Sequence, residues 1–152
     1  MRLNRLFTAR REARGSVLLE MAMTLPLLLL VAVGIFELGR AYQTEQILTN
    51  AAREGARMAV LPNASASNIA SRVKGYLQSG QLSNYQNATV TVTPNAVLSI
   101  NGTDVRASIV TVNYPFQFMV LNPIVKLIVS GSTLGAPITL TASSEMRNES
   151  QF

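Results

Sequence analysis

The chain predicts an α+β fold: a long N-terminal transmembrane helix continuing into a small extracytoplasmic domain with a short helix and a 3–4-stranded antiparallel sheet. Three observations predict it. The 21 residues from Ser16 to Phe36 carry one ionisable side chain, Glu20. Helical spacing of apolar residues then continues, with no Pro or Gly cluster before Pro62. Beyond Pro62 the pattern changes to one short helical period followed by runs rich in β-branched residues.

The N-terminal element begins with charge. Residues 1–15 hold Arg2, Arg5, Arg10, Arg11 and Arg14 against Glu12, a net +4, whereas the other 137 residues hold eight basic and seven acidic side chains, a net +1. The basicity that raises the pI to about 10.2 is therefore a property of the leader. With no basic stripe on the body and 6% aromatic residues, no nucleic-acid partner is expected. The chain has no Cys and no His, which removes disulfides, thiolate metal ligands and the commonest general base. No catalytic, metal or cofactor site is assigned. An enzyme anchored in the envelope is the least supported class.

At about 1.5 Å per residue, Ser16–Phe36 reaches roughly 31 Å, the thickness of a hydrocarbon core. Five arginines precede this stretch and Arg40 alone follows closely. The positive-inside rule then keeps the N-terminus cytoplasmic and places the bulk of the chain outside. An ordinary signal peptide cut after Ala32-Val33-Gly34 is the alternative, and it would release a secreted binding or adhesion module. Two features oppose it: Glu20 would spoil the apolar region of a signal peptide, and the helical pattern runs through the proposed cut.

Gly15, Ser16 and Glu20 together resemble the leader of type IV prepilins, a basic leader ending in Gly with Glu at the fifth position of the mature chain. The resemblance implies cleavage by a prepilin peptidase between Gly15 and Ser16. Cutting there liberates an α-ammonium at Ser16, and the Glu20 carboxylate of a neighbouring subunit can pair with it. An acidic residue in the centre of a span costs roughly 2.5–3.5 kcal/mol on insertion scales, so such a residue calls for a partner. A buried pair that loses one member is destabilised by about 3–5 kcal/mol. Glu20 is thus expected to register subunits during assembly.

The helix is expected to run from Ser16 to about Val60, roughly 67 Å. It comprises a span over about 16–36 and an extension over 37–60. Pro26 removes one backbone hydrogen bond inside the span, which membranes tolerate. In the extension, Leu38, Ala41, Glu45, Leu48, Ala52, Gly55 and Ala59 recur at spacings of three and four. This is a seam whose small residues allow close approach either to another subunit or to the chain's own domain. Arg53 and Arg57 share another face, with Glu54 three residues before Arg57 to offset their repulsion.

The domain over 61–152 begins with "SASNIASRVKGYLQSG", which predicts a capped amphipathic helix with Ile69, Val73 and Leu77 inward and Gly80 as its stop. "NYQN" reads as loop. "ATVTVTP", "AVLSI", "DVRASIVTVNYPF" and "PITLTASSEM" predict the strands, with Asn101-Gly102 as a hairpin turn. The apolar "QFMVLNPIVKLIVSG", too short to span and carrying Pro123 and Lys126, is expected to cover the core or, if exposed, to form a docking patch. Asn63, Asn87, Asn101 and Asn148 each open an N-x-S/T triplet and are read as turn and loop residues.

"RGSVLLEMAMTLPLLLLVAVGIFELGRA", "TNAAREGARMAV" and the tail "PITLTASSEMRNE" together resemble the TadE-like family, minor pseudopilins of the tight-adherence (Flp) pilus machinery. What the resemblance implies is a single-pass protein of the bacterial inner membrane, required for pilus assembly. Its implied partners are prepilin peptidase, other minor pseudopilins, the major Flp pilin, the inner-membrane assembly platform and membrane lipid. The globular part is far larger than a major Flp subunit allows.

Overall fold

The computed structural model describes residues 4–100, 102–128, 133 and 135–148, and the side chains of residues 16–99, 102–124, 133 and 135–148. Residues 1–3, Asn101, residues 129–132 with the end of "QFMVLNPIVKLIVSG", residue 134 and residues 149–152 lie outside the described residues. In chain order the elements are α1 (Asn4–Ala59), α2 (Ala66–Ser79), a 3-10 turn (Tyr85–Asn87), β1 (Thr89–Ile100), β2 (Thr103–Phe116), α3 (Leu121–Ile128) and β3 (Ile138–Arg147). The result is α+β, as expected. α1 starts earlier than Ser16, at Asn4.

α1 has 56 residues, about 84 Å at 1.5 Å per residue, and its two halves live in different surroundings. Side chains from Ser16 to Ala32 are all exposed, among them Leu18, Leu28 and Val31. A helix apolar on every side matches lipid rather than a protein core. From Glu37 onward a buried stripe appears: Glu37, Thr44, Leu48, Ala51, Ala52, Gly55 and Ala56. The predicted seam was partly misphased. Leu48, Ala52 and Gly55 are buried and Ala41 and Ala59 partly so, but Leu38 and Glu45 face solvent. Spacings of three and four give the period of a helix without its phase, and the stripe widens because α1 touches α2 as well as β2 and β3.

α2 starts and stops as its sequence predicts. Ser65 is the N-cap, its hydroxyl accepting from the Asn68 N–H at 3.2 Å, and Gly80 closes the helix with its N–H on the carbonyl of Tyr76. Its stripe of Ile69, Val73 and Leu77 is fully buried, and each such side chain contributes about 1.5–3 kcal/mol relative to exposure. At the crossing with α1, a Cβ on Gly55 would lie 2.7 Å from Val73 Cγ2 and 2.9 Å from Val110 Cγ1. Only glycine lets α1 come this close to α2 and the sheet.

The sheet is antiparallel in the order β1-β2-β3. Among the described residues there are three strands, since "ATVTVTP" and "AVLSI" form one strand. Its register shifts between Thr93 and Ala96, where Pro94 has no N–H for the ladder and Asn95 adopts φ 56°. "NYQN" forms the 3-10 turn rather than open loop. At the hairpin Ile100 pairs with Thr103 and Gly102 takes φ 78°. The inner face of β2 carries Ser108, Val110, Val112, Tyr114 and Phe116, all buried. Rows across the sheet follow the register: Val92 with Val110 and Ser144, then Val90 with Val112 and Ala142. The outer face is short and polar, with Thr111 Oγ1 3.1 Å from Ser143 Oγ. Helices thus cover one face only.

Candidate functional site

Gly15 and Ser16 sit within α1 with no break in the helix. Ser16 is exposed, as is Glu20 one turn further on. The Glu20 backbone carbonyl accepts the Thr24 hydroxyl at 2.9 Å. Among the described residues, its carboxylate has neither an ion-pair partner nor a hydrogen-bond donor. Its neighbours Val17, Leu19, Met21 and Met23 are exposed and apolar.

Seventeen residues along the same helix, a second acid is engaged within the chain. Glu37 is 1% exposed. Its Oε1 accepts the backbone N–H of Val120 at 2.6 Å and of Leu121 at 3.4 Å, the entry to α3. Arg40 Nη2 lies 3.2 Å from Oε2, close enough for attraction but without hydrogen-bond alignment; Oε2 and Arg40 Nε are buried atoms lacking a hydrogen bond. The Arg40 guanidinium also donates to the Gln117 carbonyl and lies 4.7 Å from the centroid of Phe116. Burial pushes the Glu37 carboxyl up, but the N–H donors of Val120 and Leu121 and the Arg40 charge outweigh it, and the group titrates below its ordinary value. This knot ties residue 37 of α1 to the end of β2.

Sequence reasoning passed over Glu37. The signal available was "FELGR", an acid and a base three residues apart at the end of the span, but the partners at 117–121 lie more than 75 residues away. Of the helix-packing residues, Leu48, Ala52 and Gly55 meet inside the chain's own core, with Ala59 at its margin. Glu54 holds Arg57 at 3.6 Å and Arg72 of α2 at 2.9 Å on a mostly solvated face. The end of α1 is tied down as well: Ser108 Oγ lies 3.5 Å from the Ala59 carbonyl and donates to Asn148 Oδ1 at 2.8 Å. The structure therefore separates the site residues into an exposed group, Ser16 to Glu20, and an internal group from Leu48 to Ala59. The surroundings of the Gly15 Cα lie outside the described residues.

Comparison with known proteins bears on the same helix. No curated protein and no solved structure matches the chain. Residues 15–57 match the model of the family described as TadE-like protein. The match begins at Gly15, covers the apolar stretch able to cross a membrane, Glu37 and the packed stripe to Ala56, and stops short of the body and of the tail "PITLTASSEMRNE". Over residues 15–57, from the glycine before Ser16 to the last turn of α1, the chain is similar to the TadE-like family.

Proposed function

We propose that the chain is a minor pseudopilin required for assembly of a tight-adherence (Flp) pilus. It is made as a precursor, and prepilin peptidase removes residues 1–15. The mature helix crosses the inner membrane once over about 16–36, N-terminus cytoplasmic, and the extension and body stand outside. It works by packing its exposed helix beside other minor pseudopilins, the major Flp pilin and the assembly platform. No chemical step is assigned to it.

The observation that carries this reading is Glu20: a carboxylate on an apolar helix, five residues into the mature chain, with no internal partner among the described residues. The new α-ammonium of a neighbouring protomer supplies the missing charge. The family match starting at Gly15 supports the same boundary. The competing reading, release of a secreted module by a cut near Gly34, would divide α1 three residues before Glu37. The unbroken helix through that point favours keeping the anchor. A deletion strain tests the function: pili should be lost, return with the full chain, and carry the protein through co-purification with the pilin or the platform. Normal piliation without the gene would end the proposal.

A further inference from the structure

We propose that the turn entering α3, with Met119 at its tip, rests in the headgroup layer of the bilayer crossed by α1, so that the body leans on lipid as well as hanging from the helix. The inference rests on the reading of 16–36 as a membrane span. Its first support is height. The span of roughly 31 Å that begins at Ser16 ends beside Phe36. The next residue, Glu37, is bonded to the N–H groups of Val120 and Leu121, which puts the entry to α3 at the level where α1 leaves hydrocarbon.

The second support is what this edge displays. Met119 is 65% exposed, and Ile35, Phe36 and Leu38 of α1 are exposed close by in level. Among the described side chains, the charges here are engaged within the chain: Glu37 is buried on backbone donors, and the Arg40 guanidinium is held by Glu37, Gln117 and the Phe116 ring. An apolar collar whose described ionic groups are tied off suits the boundary between headgroups and acyl chains, and it is continuous with the exposed apolar surface of α1. The opposite end of the body, with Leu61, lies about 33 Å further along α1.

The chain has no cysteine, so single nitroxide labels can be placed at will. Full-length Leu28→Cys, Met119→Cys and Leu61→Cys proteins, reconstituted in phosphatidylcholine–phosphatidylglycerol vesicles, are compared by collision with oxygen, which concentrates in lipid, and with an aqueous nickel chelate. The expected oxygen-to-nickel ratio is highest at 28, several-fold above the aqueous level at 119, and lowest at 61. All three parent side chains are exposed, so none of the labels disturbs the core. A Met119 label as open to nickel as the Leu61 label overturns this inference and leaves the span intact. A Met119 label shielded from both reagents means that protein, such as a second copy, covers the edge, and likewise overturns it. Nickel access at Leu28 overturns the span and everything resting on it.

Discussion

Glu20 and Glu37 stand on one helix, and their surroundings are opposite. Glu37 is enclosed, with two backbone donors, a guanidinium and a partner element from across the body. Glu20 is open, ringed by Leu and Met, and makes no side-chain contact with a donor among the described residues. The lesson is that the fold engages one acid inside the protomer, whereas the other is the one proposed to act in assembly.

That contrast can be broken in several places. The largest effect is expected from Gly15→Leu, which places a bulky side chain where the peptidase is proposed to cut; the precursor should accumulate uncut in the membrane, as read by immunoblot, and pili should be absent. Glu20→Ala should be cut normally yet assemble few pili, and a normal pilus count in that variant would remove the pairing role. Glu37→Ala should act the other way, on folding. Breaking a buried pair costs about 3–5 kcal/mol, reduced by the partial exposure of Arg40 to about 1–3 kcal/mol, which denaturant unfolding of the detergent-solubilised protein would measure.

Two glycines sharpen the division between the halves of α1. Gly55→Val should destabilise by about 1–3 kcal/mol through overpacking against Val73 and Val110. Gly39→Ala meets nothing within 4 Å and should stabilise the helix by about 0.5–1 kcal/mol. The smallest effect concerns pH. Because the Glu37 carboxyl titrates below its ordinary value when folded, its contribution is complete above the unfolded pKa of about 4.3 and is lost as pH falls through the folded value. Unfolding midpoints should therefore decline on the acid side in the natural chain and decline less in Glu37→Gln.

Local features were legible from sequence and distant ones were not. Ser65 and Gly80 bound α2 because capping depends on residues within one turn. The Asn101-Gly102 pair marked the hairpin for the same reason. Pro94 looked like a strand end, yet the ladder resumes beyond it, since one missing N–H can be absorbed by a bulge. The stripe on α1 had the correct period but included Leu38 and Glu45, because phase is decided by what packs on the helix. The Glu37 knot joins positions whose proximity only the folded chain creates. Glu20 was conspicuous because it contradicted its neighbours, and a contradiction of that kind needs no fold to be seen.

The measurement closest to the central claim is the intact mass of the protein extracted from its native membrane. A chain beginning at Ser16, lighter by the fifteen leader residues, is the predicted result. A chain that keeps its arginine-rich leader, or one that begins near Ile35, would leave Glu20 without its amine and would contradict the account.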